Sequence, residues 1–199
     1  MALVDGGELL AEAHAVLLPW DGSLHDLPSG WEEGFVRGMT SAAPPTALMA
    51  LAISVAPARQ GQRLSSRMIE SFKANAGAAG LRSVIAPVRP TLKERYPLIP
   101  IERYPLIPIE RYVEWRRADG SHFDSWVRIH EYIGGEILGP APESMTLRAP
   151  VADWEEWTEM QFPEDGEYIF PGGLAPLVVR DGIGVHVEPN VWIVHRVAD

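Results

Sequence analysis

The sequence predicts an α/β (α+β) protein built on a mixed β-sheet flanked by helices, and three observations carry that expectation. Thr46 to Ala56 is apolar at both odd and even positions, as a central strand covered on both faces requires. Leu64, Met68, Ile69, Phe72, Ala76 and Ala79 then recur at helical spacing, with Arg67, Glu70, Lys73 and Asn75 between them. A second apolar run, Arg82 to Val88, follows directly. Strand, helix and strand with short connections form a βαβ unit, whose strands are parallel and whose crossover is right-handed. Alternating segments near the C-terminus supply antiparallel strands, and the two kinds together make the sheet mixed.

The other elements follow in order. Ala13 to Leu18 is a strand candidate that ends at Pro19-Trp20-Asp21-Gly22, where Asp-Gly supplies a turn. Leu27 to Met39 holds a short helix around Trp31, Phe35 and Val36, and Ser41 to Pro45 breaks it. Pro57 closes the first core strand, Gly80 stands where a helix C-terminal glycine belongs, and Pro90 closes the second core strand. Glu94 to Ile101 then recurs without change as Glu102 to Ile109, and Glu110-Arg111-Tyr112 begins a third copy. Two eight-residue units are too few for a solenoid, and prolines at 97, 100, 105 and 108 exclude a continuous helix or a central strand. The segment reads as a loop lengthened by duplication, which closure entropy tolerates at about 0.6 kcal/mol per doubling. From Val113 onward the pattern is mostly strand: Ser125 to Tyr132, Ser144 to Arg148, and Val191 to Val197, with a helical turn or two at Ala152 to Met160. The expected organisation is a single domain over 1–199, divided into a core at 46–97, a duplicated loop at 98–112 and a mostly β part at 113–199.

Composition narrows the function classes. Hydrophobic residues make up 46% and charged residues 22% of the 199, as in a folded domain with a real core. With no cysteine in the chain, disulfides, zinc ribbons and thiol nucleophiles are excluded. A net charge of −10 argues against nucleic-acid binding. Between Arg59 and Arg95, however, eight basic residues face two acidic ones, a net of +6 that leaves −16 on the rest of the chain. Such an island suits a small polyanionic ligand, or else is a solvated helix face. Met1 to Leu10 has no basic leader pattern, and the longest apolar run, Ala47 to Ala58, is shorter than the roughly 20 residues of a membrane span. No membrane partner and a cytoplasmic location are expected.

Pro57-Ala58-Arg59-Gln60-Gly61-Gln62-Arg63-Leu64-Ser65 leaves a buried strand and enters a helix, so unpaired N–H groups and the positive helix end converge there, as a phosphate site requires. The segment Ala52 to Ile69 resembles motif A of the GCN5-related N-acetyltransferases, whose strand ends in a (Gln/Arg)-x-x-Gly-x-(Gly/Ala) loop around the coenzyme A pyrophosphate. Gln60 takes the first position of that pattern, Arg63 stands at the central glycine, and Ser65 takes the last small position. The resemblance covers 46–97, including Val88 to Pro97. It implies a partly splayed sheet of the acyl-CoA N-acyltransferase fold. Its implied cosubstrate is acetyl-CoA or another acyl-CoA, held by Ile53, Val55, Gln60, Gly61, Gln62, Arg63, Leu64 and Ser65.

The same resemblance implies transfer of an acetyl or short acyl group to a primary amine, on a small molecule or a peptide, by direct attack. A backbone N–H at the end of the first core strand would polarise the thioester carbonyl. Tyr96 is the positional candidate for protonating the leaving thiolate, with Tyr104 and Tyr112 as its duplicates. The alternative is a catalytically degenerate member acting as a coenzyme A-binding or assembly module. Family members usually place a strand, two helices and further strands before motif A, where this sequence has 45 residues, so the front of the fold is expected to be truncated. For the general base, Asp124, His130, His186 and Glu188 are candidates by residue type alone. His122, Asp124 and His130 have no recognised metal spacing, so no metal is expected. The Trp-rich C-terminal strands are a candidate homodimer surface.

Overall fold

In a computed structural model, residues 1–95 and 108–197 are described. Tyr96, Tyr104 and most of the duplicated segment lie outside them. The two core strands are β3 (Ala47–Val55) and β4 (Ser83–Val88), joined by α2 (Leu64–Ala78) and running parallel. Before them come β1 (Ala2–Asp5), β2 (Glu8–Leu18) and α1 (Trp31–Thr40). After them come α3 (Ile109–Tyr112), α4 (Ser125–Tyr132), β5 (Glu136–Pro150), α5 (Val151–Thr158), β6 (Gly166–Tyr168), β7 (Leu177–Arg180) and β8 (Ile183–Arg196). These strands form one mixed sheet in the order β1-β2-β3-β4-β8-β7-β6, with β5 also paired to β8.

Helix α2 explains why the βαβ unit closes. It buries Leu64, Met68, Ile69, Phe72 and Ala76 of the predicted stripe, whereas Ala79 is its exposed C-cap, and each large apolar side chain contributes about 2 kcal/mol on burial. Most of these residues pack with Leu48 and Val84 on one face of the sheet. At the helix end, Leu81 N–H donates to Ala76 O and Gly80 N–H to Gly77 O, both at 2.9 Å. This double closure is a Schellman motif, which turns the chain sharply into β4. The opposite face buries Leu18, Trp20, Met49, Ile85, Trp192 and Val194.

β3 and β4 pair over only three positions, Ala47↔Ser83, Leu48↔Val84 and Met49↔Ile85. Beyond them, β3 stays with β2 while Ala86 to Val88 stay with β8. The divergence has a local cause. In the β2–β3 ladder His14 faces Ala52 and Ala15 faces Ala50, so Leu51 is an extra residue, and a bulge of this kind bends its strand. The carbonyl of Leu51 is satisfied by Trp31 Nε1 of α1 at 3.0 Å.

Several expectations are corrected. Ser125 to Tyr132 is the helix α4, not a strand: the Asp124 carboxylate accepts from Trp126 N–H and Val127 N–H, and this N-cap favours a helix over the alternation of the segment. The end of the duplicated loop is the helical turn α3, which buries Ile109 and Tyr112. One helix, α1, lies between β2 and β3 where the resemblance implies two. Of the C-terminal tryptophans, Trp192 and Trp154 are core residues, 1% and 3% exposed, whereas Trp157 of α5 is exposed.

Because the repeat is perfect, deleting Glu102–Ile109 places Pro100-Ile101 where Pro108-Ile109 stood. The shortened chain is expected to keep its far-ultraviolet circular dichroism, with a thermal midpoint within about 3 °C of the parent. Loss of soluble protein would show that the segment is more than a lengthened loop.

Candidate functional site

Where β3 and β4 part, the sheet opens into a cleft of about 550 Å³. One side is the edge of β3 from Ala50 to Val55, which has no strand partner there among the described residues. The floor includes Ile69 and Phe72 of α2, the far side Ala86, Val88 and Thr91, and α4 contributes Trp126 and His130. Leu51, Pro87 and Arg89 also line it. Leu51 packs with the Met49 face and Ala50 with the α2 face, so the cleft opens toward both sides of the sheet.

A second cavity, of about 480 Å³, adjoins the first and shares Val55, Gln60 and Ser65 with it. It lies over the loop entering α2 and is also lined by Gly61, Arg63, Leu64, Ser66 and Arg128. Gly61 has φ +79° and Arg63 φ 57°, ψ 23°, so two left-handed residues in three turn the chain into the helix. Arg63 is the N-cap and makes no side-chain cap. Among the described residues, the amides from Gly61 to Ser66 donate no hydrogen bond within the protein. They form, with the positive end of a fifteen-residue helix, a set of donors suited to an anion.

Two histidines meet in the wall of the larger cleft. His130 Nδ1 lies 3.0 Å from His195 Nε2, and both side chains are buried. Burial, reinforced by the neighbouring His195, pushes His130 down to about 3. Burial, with the positive charge of Lys73, pushes His195 down to about 4. Both are therefore neutral at pH 7.

Asp124 is fully buried at the base of α4 and collects donors. Leu92 N–H and the Tyr112 hydroxyl reach Oδ2 at 2.8 Å each, Trp126 N–H and Val127 N–H reach Oδ1 at 2.9 and 3.2 Å, and the Thr91 hydroxyl reaches it at 3.3 Å. Burial alone would raise its pKa; the hydrogen bonds outweigh burial and hold it below the usual carboxylate value. Asp124 thus ties the chain after β4 to α3 and α4. Glu188 accepts from Arg89 Nε at 3.0 Å and lies 3.7 Å from His186 Nε2.

No protein-family model matches the chain. The chain is 31% identical over 194 residues to the arginine N-acetyltransferase avaD of Aspergillus versicolor, a match covering 87% of this chain and 66% of that protein. The chain thus spans just under two thirds of that relative's length. Its fold is similar to the loading GNATL domain of CurA from Lyngbya majuscula, with a TM-score of 0.60 and 15% identity over 98% of this chain and 75% of that one. It is also similar to the GNAT-like decarboxylase GphF in complex with isobutyryl-CoA, with a TM-score of 0.59 and 19% identity over 99% and 77% of the two chains. The chain belongs to the GCN5-related N-acetyltransferase superfamily.

In this superfamily member the expected coenzyme residues are brought together on both cavities. Ile53 and Val55 line the cleft, and Gln60, Gly61, Arg63, Leu64 and Ser65 surround the second cavity. Gln62 is exposed on the same loop. Among the tyrosines, Tyr112 is fully buried and its hydroxyl donates to Asp124, so it serves as an anchor. Of the base candidates by type, Asp124 is structural, His186 and Glu188 pair beside Arg89, and only His130 lines the cleft. Sequence reasoning missed its partner His195, and also Thr91, Trp126 and Arg128. The one signal for His195 is a polar residue on the strand face of Val191 and Ile193. Among the described residues no group of three His, Asp or Glu side chains is placed to hold a metal ion, and no helix is long and apolar enough to cross a membrane.

Asp124→Ala leaves two backbone amides of α4, the Leu92 amide and a buried phenol without their acceptor. It is expected to lower unfolding stability by about 3 kcal/mol in urea titrations. The depressed histidines make stability depend on pH. Below their ordinary value of 6.5 the unfolded chain takes up protons that the folded chain refuses. Their contribution is complete above pH 6.5 and declines as the pH falls toward 4 and then 3. The urea midpoint is expected to be level above pH 6.5, to fall below it, and to fall less steeply in His195→Gln.

Proposed function

We propose that this chain transfers an acetyl or short acyl group from acyl-coenzyme A to a primary amine by direct attack, with acetyl-CoA as the first cosubstrate to try. The observation that carries this reading is the run of unbonded amides from Gly61 to Ser66, opening onto a cleft between two diverging strands. The diphosphate of the coenzyme takes those amides. The pantetheine arm lies along the unpaired edge of β3, bonding backbone groups of Ile53 and Val55 as an added strand would. The thioester then sits in the split of the sheet, where a β3 backbone N–H supports the developing oxyanion. GphF, which has the same fold, was solved with an acyl-coenzyme A.

The absence of cysteine removes a thiol-borne acyl intermediate, so transfer is direct or uses an oxygen nucleophile, and the family resemblance favours direct attack. The relative's name makes arginine, or a molecule carrying an arginine-like amine, the first acceptor to test. Tyr96 carries over from the family resemblance as the acid for the leaving thiolate.

Arg63 replaces the glycine of the family loop yet adopts the left-handed conformation that glycine favours, at about 1 kcal/mol of strain. Its side chain lines the second cavity and supplies a cation beside the amides. Arg63→Gly is therefore expected to raise the thermal midpoint while weakening acetyl-CoA binding by up to about tenfold, or 1.4 kcal/mol. Unchanged or tighter binding would show that the guanidinium takes no part. The reading itself is tested by calorimetric titration with acetyl-CoA, followed by thiol release with a panel of amines that includes arginine. Binding and release together are the expected result; binding without release indicates a coenzyme-binding module, and no binding removes the reading.

A further inference from the structure

The His130–His195 contact brings together two buried imidazoles from α4 and β8, 65 positions apart in the chain. Each neutral imidazole has one N–H and one lone pair. The inner nitrogens, 3.0 Å apart, share a single proton, which fixes the state of the outer ones. If His195 Nε2 carries the shared proton, then His195 Nδ1 is a lone pair and His130 Nε2 an N–H. If His130 Nδ1 carries it, the two outer roles are exchanged. In either state the pair presents one donor and one acceptor, and the two roles exchange when the shared proton crosses the contact as one outer nitrogen gains a proton and the other loses one.

Both outer nitrogens, His130 Nε2 and His195 Nδ1, are buried with no hydrogen-bond partner. Buried imidazole nitrogens are ordinarily satisfied. These two belong to rings that line the same cleft as Ile53 and Val55 of β3. The arrangement is tightly built. His130 and Trp126 pack edge to face at a centroid distance of 4.6 Å. A Cβ at Gly135 would fall 2.8 Å from His195 Cε1 and 2.7 Å from the carbonyl of His130, so only glycine leaves room for the ring. The charged group bearing on the pair is Lys73 of α2.

We propose that His130 and His195 form a neutral proton relay for acyl transfer, an inference that rests on the acyltransferase reading above. As the amine nitrogen bonds to the acyl carbon and the carbon–sulfur bond breaks, the amine's proton enters the outer lone pair. The shared proton crosses between the rings, and the other outer N–H gives its proton to the sulfur side of the cleft. There the thiolate, or a hydroxyl that has just protonated it, takes it up. The amine has lost one proton, coenzyme A leaves as the thiol, and the pair ends in its mirror tautomer. Neither ring becomes an imidazolium at any stage, which is what a buried, apolar wall demands.

The test uses the full chain. In ¹⁵N-resolved NMR of the wild type at pH 6 to 8, both rings are expected to be neutral, with one protonated and one unprotonated outer nitrogen; an imidazolium signal from either ring overturns the relay. Wild-type thiol release from acetyl-CoA with the amine panel is then compared with His130→Gln and His195→Gln, which keep polar groups in place and cannot exchange tautomers. Each variant is expected to lose about 100-fold or more in kcat, with the calorimetric Kd for acetyl-CoA within about twofold of the parent. A kcat within threefold of the parent in either variant overturns the relay, as does a loss of coenzyme affinity and thermal midpoint in proportion to activity. Wild type that releases no thiol with any amine removes the acyltransferase reading, and the relay with it.

Discussion

The separation of β3 from β4 is the constraint on which the rest of this structure depends. Parallel strands gain by pairing along their whole length, yet here the ladder stops after three positions. Continuing it would zip together the backbone groups of Ala50 to Val55 and Ala86 to Val88 and close the cleft. The extra residue at Leu51 prevents this by bending β3 away with β2, and Trp31 of α1 accommodates the bend by donating to the displaced carbonyl. A helix on one face of the sheet thus holds open a site that is floored from the other face by α2 and α4.

The anion site follows from the same geometry. Once β3 has turned outward, its C-terminal end delivers Pro57 to Arg63 to the top of the cleft, and α2 begins there with its first amides unused. Arg63 shows how strongly the path of this loop is imposed. An ordinary residue is held at φ 57°, a conformation that costs about 1 kcal/mol, because the turn into the helix requires a left-handed step at that position. The strain sits beside the donors proposed to grip a diphosphate, where substitution by arginine also adds charge.

On the far side, Asp124 performs the complementary task. By accepting from Leu92, Tyr112, Trp126 and Val127 it locks the start of α4 against the chain leaving β4. This fixes the face of α4 that carries Trp126 and His130 toward the cleft. The depressed pKa values of His130 and His195 have the same origin: rings held in the cleft wall by packing lose the solvent that would stabilise their charge.

The sequence by itself determined the βαβ unit, because the apolar parity of Thr46 to Ala56 and the 3.6-residue stripe of α2 are local signals that any packing must respect. It also determined the loop from Gln60 to Ser65, since a strand that ends at a proline and a helix that begins after a glycine leave the amides between them unpaired. Ser125 to Tyr132 is helical through a local signal, the cap at Asp124, which the alternation of the segment masks; only the tertiary structure decided that the same carboxylate also binds Leu92 and Tyr112. The splay of the sheet depends on a bulge at Leu51, whose cause lies in the register with β2 and in Trp31. The meeting of His130 and His195 is likewise tertiary: a contact between a helix and a strand 65 residues apart is fixed by how both pack on a shared sheet, and no short-range pattern records it.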